Sequence, residues 1–318
     1  MKKSFFAAAL AALMCLSTAA CSAGKSGAEF TVGICQLAQH EALDAATKGF
    51  CDALTEELGS RVRFDEQNAS GEAANCPTII NGFLSEKVDL ILANATAPLQ
   101  AAASATKDVP ILGTSITDYA SALDLEGFTG TVGGNISGTS DLAPLAEQAA
   151  MVREWFPEAK TVGLLFCSAE SNSLFQVEVM QGELEKMGYE CRRFAFTDTN
   201  DVSSVTQAAC DASDVIYIPT DNTAANNSEA IGNVVLPARV PVIAGEAGLC
   251  RGCGVATLSI SYYDLGFATG KMAAQILTGK KSISDMPVEY APQVTKMFSP
   301  ANCEALGLTP PEGYEPMD

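Results

Sequence analysis

The stretch FTVGICQLAQHEALDAATKGFCDALTEELGSRVRFD, residues 30–65, decides the fold. Phe30 to Cys35 is a short β-rich run. Ala42 to Leu58 then carries Ala45, Ala46, Gly49, Phe50, Ala53 and Leu54 at helical spacing, and Gly59 follows where glycine closes helices. Val62 to Asp65 is a second β-like run. Strand, amphipathic helix and strand in this order make a βαβ unit, the building block of parallel sheets.

The same alternation continues outward. Further strand candidates are Val88 to Ala93, Pro110 to Thr114, Thr161 to Phe166, Glu190 to Phe196, Val215 to Pro219, Pro241 to Ala244 and Val255 to Ser259. The pattern breaks between Ile116 and Asp141, where Gly127, Gly130, Gly133, Gly134 and Gly138 crowd a segment with no helix signal. That segment reads as a crossing between lobes, because the alternation restarts at Thr161. The helix candidate Tyr262 to Leu277 reads as a return to the first lobe, followed by β-like runs at Val288 to Tyr290 and Val294 to Phe298. The expected architecture is α/β: two Rossmann-like lobes with parallel sheets, joined by a multi-stranded hinge. The expected division is 30–117 plus 247–284 for the N-terminal lobe and 118–246 plus 285–318 for the C-terminal lobe.

The N-terminus carries an export signal. Lys2-Lys3 precede an apolar run from Phe5 to Leu16, and small residues Ser17-Thr18-Ala19-Ala20 lead to Cys21. The run is shorter than the ~20 apolar residues that a spanning helix needs. The junction resembles a bacterial lipobox, with Thr18 where that pattern favours leucine. The resemblance implies residues 1–21 as lipoprotein signal and lipidation site, Cys21 as the lipidated first residue, and 22–29 as a flexible tether. The alternative is an ordinary signal peptide cut nearby, with Cys21 incidental.

The 318 residues are 47% hydrophobic, enough for a large core in two domains. The formal charge is −19, and it becomes −21 when Lys2 and Lys3 leave with residues 1–20, which disfavours nucleic acid and anionic lipid headgroups as partners. Of the 11 cysteines, Cys15 and Cys21 belong to the leader. Cys35, Cys51, Cys167 and Cys191 stand where small apolar residues fit and read as free thiols. Cys250-Arg-Gly-Cys253 reads as a local disulfide or two idle thiols; with one histidine and no second CxxC, a metal site is not expected. A G-x-S-x-G elbow and a metal-ligand cluster are both missing, and His40 is the one imidazole, so no catalytic residues and no cofactor are expected. Trp155-Phe156 closes an amphipathic run from Leu142 and reads as core.

Ligands of open parallel α/β sheets bind beyond the carboxyl ends of the strands. Those positions are polar here: Gln36 to His40, Asn94 and Thr96, then Thr114, Ser115, Thr117 and Asp118 in the first unit. The second unit repeats this with Ser168, Glu170, Ser171, Asn172 and Ser173, then Asp221-Asn222, then Glu246. Such residues are also good turn and N-cap formers, so each position has two readings. Together, hydroxyls on one wall and carboxylates on the other suit a zwitterion, of which an amino acid is the simplest.

Several motifs in order resemble one family. They are Val32 to Asp44 with Lys48-Gly49-Phe50, the Thr96 turn, Thr117-Asp118, Gly134 to Gly138, Ser168 to Ser173, Pro219 to Asn222 and Tyr262 to Gly266. Together they resemble the ABC-transporter substrate-binding family of tryptophan/tyrosine-type binding lipoproteins, from about Phe30 to the C-terminus. The resemblance implies a type I periplasmic-binding-protein fold, closure on a ligand between lobes, and delivery to an ABC permease and its ATPase. It points to Thr96, Ser115 and Thr117 as contacts on the first lobe, faced by Asp221, Asn222 and Glu246. Glu170, Ser171 and Asn172 either bind ligand or cap their helix. Gln39 and His40 lie at the cleft mouth, where His40 is either a contact or a helix-entrance residue. Leu37, Tyr119, Phe175 and Tyr262 are candidates for an apolar ligand side chain, and each has an equal reading as core.

The expectation is therefore an extracytoplasmic solute-binding lipoprotein of an ABC importer. It works as a monomer, held to the outer face of the cell membrane or periplasmic, and takes a small ligand, an amino acid with aromatic ones in view. A sensory protein presenting its ligand to a receptor is the alternative, as is a nucleoside, sugar or peptide ligand.

Overall fold

A computed structural model of the chain describes residues 27–291 and 293–318. The leader and the lipidation site expected at Cys21 lie outside the described residues. The strands are β1 (Phe30–Gln36), β2 (Val62–Asn68), β3 (Leu90–Asn94), β4 (Ile111–Ile116), β5 (Ile136–Ser140), β6 (Thr161–Cys167), β7 (Glu190–Phe196), β8 (Val215–Ile218), β9 (Val242–Ala244), β10 (Ala256–Ser259), β11 (Glu289–Tyr290), β12 (Thr295–Phe298) and β13 (Glu315–Pro316). The α-helices are α1 (Glu41–Leu58), α2 (Cys76–Glu86), α3 (Thr96–Ala105), α4 (Tyr119–Leu123), α5 (Leu145–Trp155), α6 (Ser171–Lys186), α7 (Val202–Ala212), α8 (Asn222–Asn226), α9 (Ser228–Ala238), α10 (Ala247–Cys253), α11 (Tyr262–Leu277) and α12 (Pro300–Leu306).

Two sheets form, in the orders β11-β5-β4-β3-β1-β2 and β13-β12-β10-β9-β8-β6-β7. Their pairings are parallel except for antiparallel β10 and β12. The first five strands of each unit follow one order, so each sheet has its topological switch between its first and third strands, at β1/β3 and at β6/β8. Every residue of β3 and β8 is buried, because helices cover both faces of a parallel sheet.

The expected return of α11 to the first lobe is observed. It packs along α1 through a seam of small residues: a Cβ on Gly49 would overlap the Tyr263 carbonyl, and one on Gly266 would overlap the Ala46 carbonyl. The two helix backbones meet as closely as they do because these positions carry no side chain.

The sheets correct the expected division in three places. Ile136–Ser140, expected in the C-terminal lobe, is strand β5 of the first sheet, and Glu289–Tyr290 pairs beside it. Residues 247–259, expected in the N-terminal lobe, form α10 and β10, which continue the second unit. The segment expected to lack a helix contains α4, capped by the Asp118 carboxylate accepting from the Ser121 amide. β5 escapes sequence reading because Ile-Ser-Gly-Thr-Ser has neither alternation nor an apolar run; its buried Ser137 and Thr139 hydroxyls bond instead to Met286 and Thr269. The chain thus passes between lobes after β5, after β10 and after β11. Among the described residues no helix is long and apolar enough to cross a membrane.

Candidate functional site

The carboxyl ends of both sheets face one another. The lobes touch through His40, whose Nε2 lies 3.3 Å from Asn222 Oδ1, and through an ion pair between Glu41 and Arg251. Behind these contacts a polar cavity of about 10 Å³, room for little more than one water molecule, is lined by His40, Leu43, Ser115, Thr117, Asp141, Asn172, Thr220, Asp221, Asn222, Glu246 and Tyr262. Burial pushes the His40 imidazole below its ordinary value, against the pull of Asn222 and the carboxylates of Glu170, Asp44 and Glu41. His40 is therefore neutral near pH 7.

The first wall is strained where it meets the cavity. Ser115 has φ 56° although it is not glycine, and the β4/β5 register shifts between Gly113 and Ile116. This bulge re-aims the Ser115 hydroxyl, which is buried without a hydrogen-bond partner. Thr117 is buried beside it. One strand over, Ala95 has φ 96° and leads into α3, which opens on Thr96. Thr96 lines not the narrow cavity but an adjoining chamber of about 410 Å³, together with Leu37, Ala73, Ala97, Glu170, Ser171 and Asn172. Asn172 borders both spaces.

The second wall is largely occupied with its own architecture. Asp221 accepts from the amides of Ala224 and Cys167 and from the Ser173 hydroxyl, so it caps α8 and ties it to β6 and α6. Burial, with the neighbouring Glu170 charge, pushes its carboxyl up to about 8. Glu246 caps α10 by accepting from the Gly248 and Leu249 amides, and burial pushes it up to about 7. Glu170 makes no side-chain cap bond to its own helix α6, contrary to the capping reading; its carboxylate accepts instead from Asn172 and from Asn222 and Thr223 at the start of α8.

The structure thus gathers His40, Ser115, Thr117, Asn172, Asp221, Asn222 and Glu246 around one cavity, while Thr96, Glu170 and Ser171 line the chamber beside it. Gln39 is exposed on an outer groove with Glu41 and Arg251. Of the aromatic and aliphatic candidates, Tyr262 lines the cavity and Leu37 the chamber, whereas Tyr119 is buried in the first-lobe core, its hydroxyl donating to the Thr139 carbonyl. Sequence reasoning missed Asp141 and Thr220. Asp141 follows β5, the strand without a sequence signature; Thr220 stands inside the Pro219–Asn222 motif, where Asp221 and Asn222 carry the signal.

Of the cysteines, Cys167 borders the chamber and its amide donates to Asp221. Cys250 and Cys253 are buried free thiols inside α10, and burial raises both well above the ordinary thiol range. Among the described residues no group of His, Cys, Asp and Glu side chains is placed to hold a metal ion.

Comparison with known proteins places this geometry. Residues 31–314 match the family model described as ABC transporter substrate binding protein. The tyrosine-binding protein of Clostridioides difficile (strain R20291) is 33% identical over 280 residues, covering 87% of this chain and 81% of that protein. The crystal structure of the Streptococcus pneumoniae ABC domain in complex with L-Trp is 32% identical, with a TM-score of 0.84, covering 90% of this chain and 96% of that one. The ligand-free, open structure of the Clostridium difficile substrate-binding protein CD0873 is 34% identical, with a TM-score of 0.69, covering 91% and 99%.

Proposed function

The chain belongs to the ABC transporter substrate-binding family, whose members bind small ligands and are not enzymes, and from that premise we propose that it is the extracytoplasmic solute-binding lipoprotein of an ABC importer, closing its lobes on an amino acid with an aromatic side chain. The observation that carries this reading is the polar cavity enclosed between the lobes and bridged by His40 and Asn222. The similarity contrast supports closure. At nearly equal identity the chain superposes better on the L-Trp complex than on the ligand-free open protein, as a closed arrangement of lobes would. The relatives' named ligands, L-Trp and tyrosine, support the substrate class.

In this account the solute is admitted when the lobes part and is then held by both walls at once. Its binding free energy favours closure because only the closed form makes both sets of contacts. Ser115 and Thr117 offer hydroxyls to the solute carboxylate, and the chamber lined by Leu37, Ala73 and Ala97 takes the side chain, while the Asn172 amide is held by Glu170 and Thr220. The closed form then docks on the permease, whose ATPase drives release. A lipid on Cys21 holds the monomer at the outer face of the membrane, through the tether at residues 22–29.

The test is a thermal-shift screen of protein unfolded and refolded to remove copurified solute. L-Tryptophan or L-tyrosine at ~100 times its dissociation constant adds about 2.7 kcal/mol of stability. A shift with a sugar or nucleoside and none with either amino acid would overturn the substrate class. Mass spectrometry of the membrane-extracted protein should find acyl chains on Cys21, and Cys21→Ser should release the protein.

A further inference from the structure

Three buried carboxylates line the cavity, those of Asp141, Asp221 and Glu246, and no lysine or arginine lines it with them. By charge alone each could hold a cation. Their hydrogen bonds separate them. Both oxygens of Asp221 and both of Glu246 accept from backbone amides or a serine hydroxyl, as helix caps do. Asp141 differs: Oδ2 accepts from the Tyr262 hydroxyl at 2.8 Å, and Oδ1 is buried with no hydrogen-bond partner. It is 4% exposed. Burial raises its carboxyl above the usual range, and the Tyr262 phenol and Thr117 hydroxyl pull it partly back.

A buried carboxylate oxygen without a partner is unfavourable for folding, so its occurrence at a cavity wall points to a role in binding. We infer that Asp141 is the anchor for the solute's ammonium group, with Tyr262 holding the carboxylate in place and Asp221 and Glu246 acting as caps that shape the wall. The position suits the task. Asp141 follows β5 where the chain passes between lobes, and its amide donates to the Ile116 carbonyl, so it is fixed to the strand that carries Ser115. An ammonium there lies beside the unpartnered Ser115 hydroxyl, which is free for the carboxylate of the same solute. This inference rests on the amino-acid reading above and assigns its charged end.

Isothermal titration of solute-stripped wild type and Asp141→Asn tests it, with L-tyrosine, L-tryptophan and the deaminated analogue of each as probes. Asparagine keeps the shape and the acceptor for Tyr262 but removes the charge. The variant should bind the amino acid that the wild type binds about 10- to 100-fold more weakly, while affinity for the deaminated analogue changes less than threefold. Its solute-free melting temperature should equal or exceed that of the wild type, because an unpaired buried charge has been removed. Equal weakening of both probes, or none, would overturn the anchor and leave the amino-acid reading standing. A wild type that binds neither amino acid would overturn that reading, and the anchor with it.

Discussion

His40, on the first lobe, and Asn222, on the second, meet at the cavity rim with 3.3 Å between imidazole Nε2 and amide oxygen. Each sits where a helix begins, His40 before α1 and Asn222 as the first residue of α8. The contact thus joins two helix starts.

Replacing either partner should favour the open form. His40→Ala should weaken solute binding by about 5-fold, the worth of one net hydrogen bond. The pH dependence has a definite sign. Burial lowers the imidazole value in the folded protein, so its contribution is full above the ordinary value near 6.5 and is lost progressively as pH falls from there through the lowered value. Affinity measured from pH 7.5 down to 5 should decline in the wild type and decline less in His40→Gln.

The ion pair between Glu41 and Arg251 also spans the lobes, but Arg251 is 42% and Glu41 55% exposed. Exposed pairs contribute about 0–1 kcal/mol and are screened by salt. Arg251→Ala should therefore change affinity by less than about 5-fold, with the difference vanishing in high salt.

Ser115 combines a left-handed backbone with a buried unpartnered hydroxyl. Glycine tolerates that conformation, so Ser115→Gly should leave the protein as stable or more stable, by about 1 kcal/mol. Solute affinity should fall by about 10-fold, since a donor to the carboxylate is gone. Urea unfolding and titration calorimetry together check the opposite signs.

Glu246 makes the opposite contribution to pH dependence from that of His40. Its carboxyl is pushed up to about 7 in the folded protein, so the folded state holds that proton more tightly than the unfolded chain, where the value is near 4.3. The stabilisation is full below pH ~4 and is lost as pH rises to about 7. Glu246→Gln should flatten the melting-temperature profile across that window, and should cost about 0.5–2 kcal/mol where a cap bond is lost.

Much of this was legible in the sequence. β1, α1 and Gly59 announce themselves because a short β-rich run, a helical stripe and a C-terminal glycine are local signals. The rims were legible too, since strand ends in parallel sheets carry the polar residues that meet ligands. The function of each rim residue was not. Asp221 and Glu246 are acceptable both as caps and as ligand contacts, and only the positions of the Ala224 and Leu249 amides beside them reveal the capping role. Asp141 was invisible because β5 draws its place from hydroxyl bonds to Met286 and Thr269, far away in the chain. The lobe boundaries differ from the expected ones for a related reason: α10 and β10 take their lobe from strand pairing with β9, which no local pattern encodes.

Solute that touches both walls should draw the two lobes together. Small-angle scattering of the solute-stripped protein, titrated with L-tryptophan and with L-tyrosine, tests it most directly. The radius of gyration should be smaller at saturation with whichever amino acid binds. A radius that stays constant while calorimetry registers binding would contradict it.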